Sequence, residues 1–401
     1  MHILIVNTTA YPKIGGIENS IRCMANSLGK IGHESCILAM QLSPGEPIRT
    51  EVGGVEVVRL PCRSMRFPIL RNWMYKIAIK DGLDDLLLKF NPDEIWCRDL
   101  FLGAGILKSN YKGVVKQIFS TSARLNVQGE FFNNKGMRLS KRIALFVLAP
   151  FVYICFLAIE KILLKKTIPV VFSENMKRQL NNTHGNLADN VAVIKPGVDA
   201  DFFSPKRSDE VVDHLANQFG LNRDEDYILY VGRLSRAKNI PFLIDAYYLI
   251  KDRAKLIIVG DGGDRRWIED YIKRIGLVER VIFAGTQYEL LPGFYRIAKV
   301  SVLPTTSESF GQVLVESLAC GTPVVGIGNT NTATAEIIED GITGKVVTEI
   351  SVQSFANAIT DILNLDDSSY EDMRSCCRDS VLRNFQWENF VKKVLALPDR
   401  K

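Results

Sequence analysis

The sequence predicts an α/β protein built from two doubly wound domains that face each other across a cleft. Three observations lead there. Short apolar runs alternate with amphipathic stretches from end to end, the pattern of repeated strand–helix units around a mostly parallel sheet. The series occurs twice, separated by a Pro-Gly break and a polar stretch. The chain has 401 residues, the length of two or three ordinary domains.

The first series has expected strands at 2–6, 34–39, 55–60, 94–97, 114–119, 168–172 and 191–194, with helical patterns near 17–30, 70–90, 143–166 and 174–182. It ends at Lys195-Pro196-Gly197-Val198-Asp199, where proline and glycine interrupt regular structure. After the polar stretch 204–226, the second series has expected strands near 227–231, 255–259, 281–283, 300–303, 323–326 and 345–347, each followed by a helical pattern or a glycine turn. The domains are therefore 1–197 and 198–384. The amphipathic segment from Phe385, carrying Trp387 and Phe390, returns over 385–401 to the first domain. Ligands of such sheets bind beyond the carboxyl ends of the strands, so the loops after strands are where chemistry is expected.

Composition narrows the class. Hydrophobic residues make up 47% and charged residues 24%, which excludes a collagenous, low-complexity or disordered chain. The eight cysteines are scattered and contain no Cys-x-x-Cys, so a reduced, cytoplasmic setting is expected. The opening Met-His-Ile-Leu-Ile-Val is too briefly apolar for a signal peptide.

The net charge of +5 is too small to imply nucleic-acid binding, but it is unevenly placed. Segment 59–80 carries Arg59, Arg63, Arg66, Arg71, Lys76 and Lys80 without an acid, with Phe67, Trp73 and Tyr75 interleaved. Segment 135–166 carries Lys135, Arg138, Lys141, Arg142, Lys161, Lys165 and Lys166 against Glu160 alone. Each nets +6, so the remainder is acidic. Between the second set of cations, Ile143 to Ile159 is an uncharged run that would span about 26 Å as a helix, with Pro150 in its middle. A buried helix explains the apolar residues but not the flanks, and a transmembrane span is short against a ~30 Å hydrocarbon core. A monotopic element, dipping into an anionic membrane surface while Lys and Arg meet the head groups, accounts for both.

Four loops carry candidate chemistry. Gly232-Arg233 and Lys238-Asn239 follow strand 227–231, and two cations before a helix start suit a diphosphate, although a solvated loop is the plainer reading of those two alone. Val259-Gly260-Asp261-Gly262-Gly263 permits close approach of a ligand to backbone but does not match the dinucleotide fingerprint. Gly15-Gly16 precedes a helix, so its amides would face a phosphate across the cleft, a plain turn being the alternative. In the fourth, Pro304 to Pro323, Glu308 lies in the loop beyond a strand and Glu316 on the helix starting near Gly311. Carboxylates accept hydrogen bonds from paired sugar hydroxyls, and the amides from Phe310, Gly311 and Gln312 to Val313 and Leu314 are donors at a helix start.

In order, Gly15-Gly16-Ile-Glu18, Ile194-Lys-Pro-Gly197-Val-Asp199, Gly232-Arg233 with Lys238-Asn239, Glu308-x7-Glu316, Ala319-Cys-Gly321-Thr-Pro323 and Glu336 through Asp340-Gly341-Ile-Thr343-Gly344 span nearly the whole chain. In these motifs the chain resembles the retaining GT-B glycosyltransferases of the family 4 type, the glycosyl transferases of group 1. The resemblance implies two Rossmann-like domains. It also implies that Arg233 and Lys238 hold the donor diphosphate, Glu316 the ribose hydroxyls, and Glu308 with the Phe310–Gln312 amides the transferred sugar, while the loop at Gly285-Thr286 borders the base. Arg233, Lys238 and Glu308 are the expected catalytic residues.

The sequence departs from the family pattern at one place. Many relatives have a His after the strand equivalent to 114–119; here the residues are Ser120, Thr121, Ser122 and Arg124, which with Arg98 are the expected acceptor side. A hydroxyl is a poor base, so a donor phosphate oxygen is the expected proton acceptor, in a same-face displacement that retains configuration. The donor is expected to be a UDP- or GDP-linked sugar, with no further cofactor and no metal. Asp199-Ala-Asp201 falls at the domain junction, where helix-capping acids are expected, and the four His share no ligand spacing. The acceptor is expected to be a lipid-linked saccharide, met by a peripheral protein on the inner face of the cell membrane during surface polysaccharide synthesis, without a nucleic-acid partner. Two rivals share the overall reading: a non-hydrolysing sugar-nucleotide epimerase, which lacks a matching acid/base pair here, and an inactive sugar-nucleotide-binding subunit.

Overall fold

The computed structural model describes residues 1–11, 15–43, 45–62, 68–122, 139–206, 209–222 and 224–399. The chain divides into two compact units: Met1–Phe131, Ile143–Gly197 and Trp387–Lys401 form one, and Val198–Gln386 lies in the other.

In the first unit, β1 (His2–Val6), β2 (Glu34–Gln41), β3 (Arg49–Val52), β4 (Val55–Pro61), β5 (Glu94–Cys97), β6 (Val114–Phe119), β7 (Ile168–Val171) and β8 (Ala192–Val193) form one sheet in the order β3-β4-β2-β1-β5-β6-β7-β8. All pairings are parallel except β3–β4. The inner strands read as unbroken apolar runs because helices cover both faces, and every residue of β1 beyond His2 is buried. The hairpin strand β3 was not expected from the sequence. It is a short polar edge strand, Arg-Thr-Glu-Val, and its mark is Gly53-Gly54, two successive positive φ angles (58° and 79°) that fit the tight turn of a hairpin.

The helices of this unit are α1 (Gly16–Lys30), α2 (Pro68–Phe90), α3 (Leu100–Ile106), α4 (Leu139–Lys166) and α5 (Glu174–His184). The Asp99 side chain caps α3, accepting from the amides of Phe101 (2.8 Å) and Leu102 (2.9 Å). The last helix of the chain, Trp387–Leu395, is also part of this unit. It buries Trp387 and Phe390, the latter edge-on to Phe172 at 5.8 Å, and its Leu395 carbonyl lies 3.5 Å from the buried Lys116 ammonium. Lys116 in turn pairs with Glu94 at 2.7 Å, and the Trp96 indole N–H donates to the same carboxylate at 2.7 Å.

The apolar run 143–159 lies within α4. Val152, Phe156, Leu163 and Leu164 are buried in a cluster with Phe101, Phe119, Val171 and Leu180. Each such side chain contributes roughly 1.5–3 kcal/mol on burial. Its opposite side keeps Phe151, Ile154 and Ile162 exposed beside the exposed Lys161, Lys165 and Lys166. Glu160 is buried and meets His184 at 2.7 Å. Among the described residues no helix is long and apolar enough to cross a membrane.

Two residues of the basic segment 59–80 do not face outward as expected. Arg59 is buried, its guanidinium donating to the Pro47 carbonyl (3.1 Å), the Thr50 hydroxyl (2.9 Å) and the Tyr11 carbonyl, so it stitches β4 to neighbouring loops. Tyr75 is a core residue of α2. Tertiary packing claims both, and neither can meet a head group. Arg63, Arg66, Phe67, Lys135 and Arg138, and the side chains of Arg71, Trp73, Lys80, Lys141 and Arg142, lie outside the described residues.

In the second unit, β9 (Tyr227–Val231), β10 (Lys255–Val259), β11 (Val281–Gly285), β12 (Val300–Leu303), β13 (Val324–Ile327) and β14 (Gly344–Val347) form a wholly parallel sheet in the order β11-β10-β9-β12-β13-β14. The helices are α6 (Asp209–Phe219), α7 (Ile240–Ile250), α8 (Arg265–Arg274), α9 (Leu291–Ile297), α10 (Gln312–Ala319), α11 (Thr334–Ile337), α12 (Val352–Leu363) and α13 (Asp367–Asn384), with Trp387–Leu395 numbered α14. Both units are doubly wound α/β folds. The strand order reverses between β1 and β5 in the first sheet and between β9 and β12 in the second, and the loops after these strands flank the switch points.

Candidate active site

Three loops at the carboxyl edge of the second sheet are laced together by backbone hydrogen bonds. Gly232 N donates to the Val259 carbonyl (3.0 Å), Gly260 N to Gly285 (2.7 Å) and Leu234 N to Asp261 (3.0 Å). Gly260 has φ +135°, and a Cβ there would collide with the Gly232 carbonyl, so the loops after β9 and β10 can touch only because this position lacks a side chain. The result is a stiff backbone shelf beyond β9 and β10.

Arg233 and Lys238 are carried by that shelf. The Arg233 side chain is exposed and, among the described residues, meets no carboxylate. A short 3₁₀ turn over Arg236–Lys238 ends at Asn239 in the left-handed region, φ 52°, and the Asn239 side-chain Nδ2 donates to the Pro304 carbonyl at 3.2 Å. The Thr305 hydroxyl donates to Ala237 at 3.0 Å. These bonds tie the loop after β9 to the loop after β12. Lys238 Nζ consequently lies 2.5 Å from Glu308 Oε2, with both side chains about a quarter exposed (27% and 20%). The two residues expected to handle diphosphate and sugar are thus brought together. The amide of Glu308 is anchored on Asn331 O at 3.0 Å, which fixes the loop that carries the carboxylate.

Beyond Glu308, Phe310 is buried edge-on to Phe385 at 6.1 Å, and Gly311 caps α10 without a side-chain hydrogen bond. Gln312 and Val313 are half-buried at the helix start. The Leu314 amide donates to Gly311 O at 2.9 Å, so it does not serve as a ligand donor as expected from position alone. One turn into the helix, Glu316 is buried, and the one described hydrogen-bond partner of its carboxylate is the Tyr295 hydroxyl, 3.2 Å from Oε2. The same hydroxyl lies 3.2 Å from the Val313 carbonyl. Burial pushes the Glu316 carboxyl up to about 8, and the Tyr295 hydrogen bond opposes part of that rise.

Gly285, at the end of β11, has φ +68° and accepts the Gly260 amide. Beside it Arg265 lies over the Phe283 ring at 5.5 Å and pairs with Glu269 at 2.8 Å. Tyr295 and Asn239's bond to Pro304 are features the spacing of residues did not reveal, since each partner is distant in sequence.

The remaining expected residues belong to the first unit. Gly15 is the N-cap of α1 and extended at φ −175°, and Gly16 is exposed. Arg98 donates to the Ser120 hydroxyl at 3.0 Å and to the Ser20 hydroxyl. Ser122 is buried and donates to Gln179 at 3.0 Å. Thr121 is half-buried, and Arg124 lies outside the described residues. Asp199, in the second unit, accepts the Phe202 amide at 3.0 Å in a turn.

Residues 211–378, which carry this site, match the family model described as Glycosyl transferases group 1. The chain is a glycosyltransferase, with the group 1 match covering this segment. This glycosyltransferase is similar to an uncharacterised glycosyltransferase of Methanocaldococcus jannaschii, 27% identical over 98% of this chain and 97% of that one. Its fold is similar to that of sucrose-phosphate synthase from Thermosynechococcus elongatus, with a TM-score of 0.80, 22% identity and coverage of 98% and 97%. It is also similar to Anabaena HepE in complex with UDP-glucose, with a TM-score of 0.71, 16% identity and 98% coverage of each chain. The architecture of the glycosyltransferase is therefore that of the GT-B enzymes.

Proposed function

We propose that this glycosyltransferase moves a sugar from a UDP- or GDP-linked donor to a lipid-linked saccharide at the cytoplasmic face of the membrane, with retention of configuration and without a metal, in surface polysaccharide synthesis. The observation that carries the donor assignment is the Lys238–Glu308 pair, whose lysine shares the loop after β9 with the exposed Arg233. In the free protein Lys238 is neutralised by Glu308. An entering diphosphate takes over Lys238, and Glu308 is released to accept sugar hydroxyls. The bond from the anomeric carbon to the phosphate oxygen then breaks while the bond to the acceptor oxygen forms on the same face. The acceptor proton passes to the departing phosphate oxygen, so no side-chain base is needed. Arg233 and Lys238 stabilise the charge that develops there. HepE, which shares the fold, binds UDP-glucose and supports the nucleotide-sugar class. The group 1 match favours transfer over epimerisation.

The membrane assignment rests on α4, whose exposed Phe151, Ile154 and Ile162 lie along a helix with exposed Lys161, Lys165 and Lys166. A thermal-shift screen of nucleotide sugars tests the donor: a bound donor raises the melting temperature, and a flat response to every UDP- and GDP-sugar would remove the assignment.

A further inference from the structure

Arg98 is a cation whose surroundings do not neutralise it. It follows β5 directly, and its amide donates to the Val6 carbonyl of β1 at 3.0 Å, which sets it at the switch point of the first sheet. Its side chain is 7% exposed and stacks on Phe172, the residue after β7, with 5.1 Å from Cζ to the ring centroid. The guanidinium donates to the Ser20 hydroxyl on α1 and to the Ser120 hydroxyl after β6, while Nε is buried with no partner among the described residues.

The neighbouring carboxylates are otherwise engaged. Asp99 caps α3 with one oxygen and accepts from the Thr8 hydroxyl with the other at 2.7 Å. Glu18 accepts from Thr9 at 2.5 Å and acts on Arg98 only through space. Among the described residues no carboxylate touches Arg98. Desolvation pulls the guanidinium down to about 10, and Glu18 opposes part of that fall through space. A buried charge without a touching counter-charge costs free energy that a bound anion recovers.

The second sheet also has an arginine beside its switch point, although an exposed one. Its switch point lies between β9 and β12, and Arg233 stands in the loop after β9 as Arg98 stands after β5. We propose that Arg98 is the centre of an anion site at the switch point of the first sheet, and that its ligand is a phosphate carried by the acceptor. Ser20 and Ser120 hold the guanidinium plane, and the planar fork presents its remaining N–H groups to phosphate oxygens. The inference rests on the first unit being the acceptor side. It names the chemistry the acceptor must show, whether the phosphate belongs to a lipid head group or to a soluble sugar phosphate.

The test titrates the full-length protein with glucose 6-phosphate, with glucose as control, and measures flotation with phosphatidylcholine vesicles with and without phosphatidic acid. Wild type, Arg98→Met, Arg98→Lys and the double variant Arg233→Ala/Lys238→Ala are compared, and UDP and GDP binding is followed in parallel. Phosphate-dependent binding to at least one probe is expected to weaken about tenfold or more in Arg98→Met and less in Arg98→Lys, because a point charge replaces a fork. It is expected to survive in the double variant, and nucleotide binding to survive in both Arg98 variants. Loss confined to vesicles assigns the phosphate to a lipid, and loss confined to glucose 6-phosphate to a soluble acceptor. Equal binding by Arg98→Met and wild type, loss only in the double variant, or no phosphate-dependent binding by wild type to either probe overturns the proposal. Should Arg98→Met fail to fold, Arg98→Lys decides: unchanged affinity overturns it and partial loss supports it. The donor assignment fails separately, if wild type binds no nucleotide or nucleotide sugar.

Discussion

The Tyr295 hydroxyl lies 3.2 Å from Oε2 of Glu316, and both side chains are buried. Burial lifts the Glu316 carboxyl from 4.5 to about 8. Below its ordinary value the group is protonated in the folded and unfolded chain alike. As pH rises towards about 8 the unfolded chain gives up the proton while the folded chain keeps it, so stability from this group falls through that window and is gone above it. Thermal unfolding of wild type from about pH 5 to 8.5 is expected to show that decline, and Glu316→Gln to flatten it. Parallel pH slopes in the two proteins would contradict the account.

Tyr295→Phe removes the one described donor to that carboxylate and is expected to raise its pKa further. If Glu316 binds the ribose as a carboxylate, the variant loses donor affinity, roughly three- to tenfold at neutral pH, and recovers most of it near pH 9. Isothermal titration at two pH values checks this; a loss of equal size at both would leave Tyr295 a packing residue only.

Lys238→Ala and Glu316→Ala are each expected to lower turnover about tenfold or more while the melting temperature stays within a few degrees. Steady-state kinetics with the donor identified by thermal shift provide the measurement. Wild-type rates in both variants would remove the site assignment.

The Lys116–Glu94 pair, at 2.7 Å and out of solvent, makes a stability prediction for the first unit. Lys116→Met strands a buried carboxylate and is expected to cost ~3–5 kcal/mol in denaturant unfolding. The double change with Glu94→Gln is expected to restore most of that loss, because the charge left behind is gone.

Flotation with anionic liposomes separates the two faces of α4. Phe151→Asp/Ile154→Asp alters only exposed positions. It is expected to weaken membrane binding several-fold with stability unchanged. Undiminished flotation would place the membrane contact elsewhere.

Much of the fold was readable because parallel strands are buried on both faces, so each is an uninterrupted apolar run such as Tyr227–Val231 or Leu256–Val259. The edge strand β3 escaped because its polar residues carry no such signal. Arg59 and Tyr75 misled for the opposite reason: a basic and aromatic pattern looks like a surface, and only the tertiary neighbours Pro47, Thr50 and Tyr11 reveal Arg59 as a buried tie. Within the site, Glu308 and Glu316 stood out through residue type and spacing, and Arg233 and Lys238 through the motifs of the family the chain resembles. Tyr295 did not, because it reaches Glu316 from a different helix, and no local spacing records that contact.

The most direct test of the central claim is the structure of this protein with its nucleotide-diphosphate sugar bound. The account predicts Arg233 and Lys238 within hydrogen-bonding distance of the diphosphate oxygens, Lys238 withdrawn from Glu308, and Glu316 on the ribose hydroxyls. A donor bound with its diphosphate away from the Gly232–Asn239 loop, and the Lys238–Glu308 pair intact, would contradict it.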